Sequence, residues 1–349
     1  LVLKAIPGPT ALQAFRIARR ASRLYAAQGV TTVQSGLTLA RHREALKWMV
    51  RIGVIPQRMV MWEADEAVEQ DAREGRRPFE TFDPDRLRVG TVKIIADGSI
   101  QGYTGYLSAP YFVPPDGDPS FRGYPRMSKA ELSQKVVRFH SQGMQLAVHA
   151  NGDAAIDDVL DAFAAAQKAY PVADPRFVMV HSQMARTDQI ERMKQLGVIP
   201  SFFVLHTYYW GDRHRQIFLG PGRAERISPA QEASARGLLF TLHADTPVTP
   251  MEPLRMVWSA VNRRTTSGVV LGPEQRISVQ EALRAVTRYA AHQSRQEHLI
   301  GSLEPGKRAD LVILERTPMD IPDSIDRIRV VKTLVDGQEI YSAPHKDKL

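Results

Sequence analysis

Between residues 10 and 245 the apolar positions alternate between two spacings: a helical period of three to four residues held over several turns, then a short continuous apolar run. The continuous runs are GVTTV (29–33), RMVMWE (58–63), GTVKII (90–95), GMQLAV (143–148), RFVMV (176–180), GVIPSFFV (197–204) and GLLFTL (237–242). Glycines 29, 143, 197 and 237 stand where a helix should stop, because glycine enters the left-handed region without a Cβ penalty. Thr10 with Gln13, Ser128 with Glu131, and Ser278 with Glu281 have the spacing of capped helix starts. Strands buried on both faces and alternating with helices predict a parallel sheet with helical crossovers.

Seven strands are one short of a (β/α)8 barrel. The chain opens on a helical pattern, LQAFRIARRASRLYAAQG, with no strand before it. The expected fold is therefore α/β, a TIM-like (β/α)8 barrel without its first strand. The opening Leu1 fits a fragment or a processed chain. One long helix is expected over ISVQEALRAVTRYAAHQ (277–293). From residue 301 the rhythm turns β-rich, in GSLEPGKRADLVILE and VVKTLVDGQEIYS, with Asp336-Gly337 as a hairpin signal. The expected division is a hydrolase barrel over 1–300 and the C-terminal part of a composite β-sandwich over 301–349.

The runs end in chemistry. In a parallel barrel the reactive groups sit at the C-terminal ends of the strands. Here His149, His181 and Asp245 close three different runs, and His206 follows a fourth. Lys93 lies inside a run, at the inward parity shared by Ile95 and Asp97. Taken one at a time, each has a plainer reading: a satisfied core histidine, a turn or cap at Asp245, an ion pair between Lys93 and Asp97. Their ordered recurrence favours a common site. Imidazoles and a carboxylate converging from separate strands suit a divalent transition metal, zinc being the expected ion. A buried lysine shifts towards its neutral amine, and a neutral amine can take up carbon dioxide to give an anionic, bidentate carbamate.

Composition narrows this further. The chain has no cysteine, which excludes disulfides, thiolate catalysis and cysteine-held zinc. The net charge of +8 is spread through helices that also carry Glu and Asp, so no nucleic-acid site is expected. No apolar run approaches the ~18 residues of a membrane span, and no signal pattern is visible. The chain reads as soluble and cytoplasmic, without a membrane partner.

The stretches VKIIADGSIQGYTGYLSAPY, LAVHANGDAAIDDVLDA, MVHSQM, LHADTPVTPMEPL and GSLEPGKRADLVIL, in that order, resemble the amidohydrolase superfamily, and most closely amidohydrolase family 3, the branch with N-substituted formamide deformylase-like proteins. The resemblance implies a carboxylated bridging lysine at Lys93, metal histidines at His149 and His181, and the catalytic aspartate at Asp245, itself a metal ligand. It implies one or two zinc ions and carbon dioxide as cofactors. His206, His243, Tyr103 and Asp97 are the candidate substrate contacts, the last at the head of a segment, 97–102, that shapes the rim. The family's His-x-His is absent: no two of the ten histidines are two apart.

The expected function is metal-dependent hydrolysis of carbon–nitrogen bonds in small non-peptide amides, weakened by the missing first strand. The alternative is a catalytically inactive barrel kept as a binding or oligomerisation module. A homo-oligomer, or pairing with the segment that carries the first strand, is expected.

Overall fold

The structure, a computed structural model, describes residues 10–76 and 79–344; Leu1 lies outside them. Helix α1 (Ala11–Ala27) starts at a complete capping box, in which Thr10 and Gln13 each satisfy an amide of the other. It leads into β1 (Thr32–Thr38), α2 (Ala40–Arg51), β2 (Arg58–Ala64), α3 (Asp65–Arg73) and β3 (Leu87–Ile95). Then come α4 (Lys129–Ser141), β4 (Gln145–Ala150), α5 (Asp153–Ala169), β5 (Phe177–His181), α6 (Thr187–Leu196) and β6 (Val198–Phe202). Three short helices, α7 (Leu205–Arg213), α8 (Gly220–Ala224) and α9 (Ala230–Ala235), precede β7 (Thr241–Leu242). Helices α10 (Pro253–Asn262), α11 (Val279–Ala285) and α12 (Arg288–Gln293) finish the helical part.

The seven strands form one parallel sheet in sequence order, curled into an open barrel. Strands β1 and β7 are its two edges and are not hydrogen-bonded to each other among the described residues. The predicted glycine stops all hold, with φ between 66° and 82° at Gly29, Gly143, Gly197 and Gly237. Two expectations are corrected. The run 237–242 pairs as a strand only over Thr241–Leu242, because its start closes helix α9: the amides of Gly237 and Leu238 donate back to the carbonyls of Ser234 and Ala233. The helix over 277–293 breaks at Thr287 (φ −128°, ψ −89°), where the threonine hydroxyl donates to the carbonyl of Leu283, a back-bond that bends helices.

The outer face of the sheet is covered by helices. Phe163 of α5 stacks on Phe177 of β5 with ring centroids 4.2 Å apart, inside a cluster that includes Ile156, Val159 and Leu160. The inner face carries a smaller apolar layer, Val60, Trp62, Ala147, Val178 and Val180. Below that layer the cylinder has a polar floor. Thr91 donates to Gln145, Gln145 donates to the carbonyl of Gln293, and Thr241 donates to the side chain of Gln293. Buried polar groups are tolerable there because they satisfy one another, so the layer above can face the open end.

A three-stranded antiparallel sheet, β10-β9-β8, follows: β8 (Leu311–Leu314), β9 (Val330–Val335) and β10 (Gln338–Ser342). Asp336 and Gly337, at φ 52° and 75°, make the two-residue turn between β9 and β10. This sheet is locked to the barrel by Arg58, whose guanidinium donates to both oxygens of Asp310 (2.8 and 3.2 Å), to Asp336 and to the carbonyl of Asp85. A fully buried arginine is stable only when its donors are matched in this way. No helix among the described residues is long and apolar enough to cross a membrane.

Candidate active site

The parallel register brings three strand ends to one level. Ile95 pairs with His149, His149 with Val180, and Ala150 with His181. The rings of His149 and His181 meet edge to face with centroids 4.4 Å apart. His149 is held by the loop that follows β3. Its Nε2 lies 3.1 Å from the carbonyl of Gly98 and 3.4 Å from Oδ1 of Asp97, with the Asn151 amide nitrogen at 3.2 Å. Two acceptors against one donor put the proton on Nε2, leaving Nδ1 with the lone pair.

Asp97 explains why this corner is rigid. Its carboxylate accepts the backbone N–H groups of Asn151, Gly152 and Tyr106, each at 2.9 Å, so one buried side chain ties the loops after β3 and β4 together. Gly152 is required at the closest point: a Cβ there would stand 1.8 Å from the carbonyl oxygen of Tyr106.

On the far side, Nδ1 of His181 lies 3.1 Å from Nε2 of His243, and Nδ1 of His243 lies 3.0 Å from the hydroxyl of Ser201. Nε2 of His181 has no hydrogen-bond partner among the described residues. His206, on the first turn of α7, is buried, packs on Phe203 at 4.2 Å, and lies 6.3 Å from His181, ring to ring. Its Nδ1 is buried without a partner. His214 sits behind it at 5.8 Å, facing the Gln183 amide. His181 (φ 74°), Ser182 (47°) and Asp245 (53°) all occupy the left-handed region that such residues rarely adopt. Strain of this kind clusters at functional sites.

Burial sets the electrostatics. It pushes His181 and His206 well below the ordinary imidazole value, neighbouring histidines adding to the effect. It takes His243 down to about 4 and His214 to about 3. These rings are therefore neutral at neutral pH and keep their lone pairs. Lys93 is buried on the inner face of β3 with Nζ 5.7 Å from the centre of the Trp62 ring. Burial lowers its amine to about 7, against the pull of Asp245, so a large share of it is unprotonated at neutral pH.

The candidates thus separate. His149, His181 and Lys93 share the inner mouth, with His206 and His243 beside them. Asp245 stands exposed at the rim, near enough for its charge to act on Lys93 and His243. Among the described residues no three His, Asp or Glu side chains converge on one point as metal ligands. Asp245 is exposed in this arrangement, and the plain amine of Lys93 is no anionic donor. The donor chemistry fits a cation in part: two imidazoles offer Nδ1 of His149 and Nε2 of His181.

Lys93 forms no ion pair with Asp97, whose oxygens are taken by amides and His149. Tyr103 lies on the loop after β3, its hydroxyl donating to the carbonyl of Val113 and its ring against Tyr111 and Phe218. Sequence reasoning passed over Trp62, Ser201 and His214. Trp62 and Ser201 have inward parity with Val60 and Ile199, a signal that was there to be used. His214 follows no strand and carried none.

Comparison with known proteins bears on the family and the fold. The sequence model described as the amidohydrolase family matches residues 2–341. The chain is 32% identical over 253 residues to the N-substituted formamide deformylase of Arthrobacter pascens, a match covering 72% of this chain and 45% of that protein. It is 32% identical over 257 residues to the protein LONG AFTER FAR-RED 3 of Arabidopsis thaliana, covering 73% and 43%. The chain thus spans under half the length of these relatives. Among solved structures, an uncharacterized metal-dependent hydrolase from Pyrococcus furiosus superposes with a TM-score of 0.75 at 28% identity, covering 89% of this chain and 62% of that one.

Proposed function

Because the chain belongs to the amidohydrolase family, we propose that it forms the metal-binding side of a hydrolase that cleaves carbon–nitrogen bonds in small non-peptide amides. The observation that carries this reading is the pair of imidazoles, 4.4 Å apart and each with a ring nitrogen free of hydrogen bonds among the described residues, beside an amine lowered to about 7. The name of the Arthrobacter relative, an N-substituted formamide deformylase, supports the substrate class.

In this reading His149 and His181 hold a divalent cation, zinc by the preference of nitrogen donors. The neutral amine of Lys93 attacks carbon dioxide and loses a proton, and the resulting carbamate supplies the anionic donor that the mouth lacks. When bound, such an ion polarises an amide carbonyl and brings an attached water towards pKa ~7. Asp245, at the rim, takes the proton of the attacking water and delivers it to the leaving nitrogen, since an amine leaves only once protonated. His206, whose ring stands 6.3 Å from that of His181, lies beside the substrate as a wall of the mouth. His243, Tyr103 and Asp97 act through the partners they already hold.

The test is zinc content and N-substituted formamide hydrolysis by the chain purified with zinc and bicarbonate. About one zinc per chain, with a mass gain of one carbon dioxide at Lys93, is expected; zinc-free protein without that gain rejects the reading. A second reading, a non-catalytic barrel used for binding or oligomerisation, is favoured by the open seam between β1 and β7. It predicts self-association without metal or turnover.

A further inference from the structure

We propose that Ser201 and His243 are positioning residues that set the tautomer of His181, placing its proton on Nδ1 so that Nε2 is offered to a cation. The inference rests on the metal reading above and deepens it. A neutral imidazole carries one N–H, so two hydrogen bonds in series through one ring have a direction. In the forward direction Nδ1–H of His181 donates to Nε2 of His243 (3.1 Å), and Nδ1–H of His243 donates to the Ser201 hydroxyl (3.0 Å). Nε2 of His181 then keeps its lone pair. In the reverse direction Ser201 donates to His243, His243 donates to Nδ1 of His181, and the His181 proton is left on Nε2.

The surroundings favour the forward direction. In this geometry a proton on Nε2 of His181 has no hydrogen-bond partner among the described residues, whereas a proton on Nδ1 has one in His243. An N–H with a fixed protein acceptor is favoured over one without. A hydroxyl, by contrast, accepts from His243 simply by rotating its own hydrogen aside. The backbone holds the relay in line: Ser201 pairs with Thr241 in the ladder, and the amide of His243 donates to the carbonyl of Phe202 at 3.1 Å. His149 is set independently from the other side by Gly98 and Asp97, so two separate devices fix two rings whose centroids are 4.4 Å apart.

The Ser201→Ala variant isolates the claim. Without a hydroxyl to accept its Nδ1–H, His243 moves its proton to Nε2, and His181 is driven to the Nε2–H form. Nitrogen-15 NMR of the metal-free 349-residue chain, with His181 assigned by loss of its signals in His181→Gln, reads the tautomer directly. The expected result is Nδ1–H in the wild type and in Ser201→Thr, and Nε2–H in Ser201→Ala. Zinc Kd should rise about 10- to 100-fold in Ser201→Ala, the usual range for outer partners of metal histidines, and return towards wild type in Ser201→Thr. A wild-type Nε2–H tautomer, or an Ser201→Ala protein with unchanged tautomer and zinc Kd, overturns the inference. If the wild type binds no zinc, the metal reading fails, while the tautomer comparison still decides this one.

Discussion

Two corners of the barrel mouth end in equally polar residues and are built differently. At the β3–β4 corner, His149 is fixed by a loop pair stitched through the three amide contacts of Asp97. At the β7 corner, Asp245 follows a two-residue strand and stands exposed beside the open seam. The difference shows that a strand end becomes a rigid donor only when a neighbouring loop holds it. A corner free on one side can supply a mobile acid or base, but not a fixed ligand.

The comparison breaks most visibly at Asp97. Asp97→Ala strands three buried amides and removes the anchor of His149. It should cost about 4 kcal/mol in urea unfolding, since hydrogen bonds to a charged group contribute ~1.5–3 kcal/mol each and do not add fully. A loss below about 1 kcal/mol would mean that the two loops hold themselves.

Next in size is Lys93. Its amine falls from 10.5 to about 7 on burial, so the unfolded chain binds the extra proton between those values and wild-type stability rises with pH across that window. Lys93→Met removes the penalty. It should be more stable than wild type by up to about 4 kcal/mol below pH 7 in carbon dioxide-free buffer, with the advantage gone above about pH 10.5. A pH-independent difference between the two proteins would contradict the buried-amine account.

Gly152→Ala should cost about 2 kcal/mol, because a Cβ at that position meets backbone rather than a movable side chain. Thermal unfolding checks this; a neutral result would show that the corner can open. The smallest effect on stability is expected at Asp245. Asp245→Asn should stay within about 0.5 kcal/mol, as exposed substitutions do, while lowering any amide hydrolysis by at least about 100-fold, the scale of a lost general base. Unchanged turnover would remove Asp245 from the chemistry.

How much of this was legible along the chain follows from range. Capping boxes at Thr10 and Ser128, glycine stops, and the Asp336-Gly337 turn are settled by residues within a few positions, and the structure has them all. His149 and His181 were visible because burying an apolar strand on both faces makes a terminal histidine conspicuous. The rest depends on partners far away in sequence. Ser201 matters only because His243, 42 residues on, faces it. The three amides that Asp97 holds were equally hidden, since nothing in its own strand reveals them. The motif of Asp245 is local, whereas its exposure depends on what lies across the seam.

The central claim is that His149 and His181 together hold one divalent cation through Nδ1 and Nε2. Zinc titration of the metal-stripped chain, monitored by calorimetry for the wild type and for His149→Asn with His181→Asn combined, tests it most directly. The account predicts one site per chain in the wild type and none in the double variant. Equal zinc binding by the two proteins, or none by either, would contradict it.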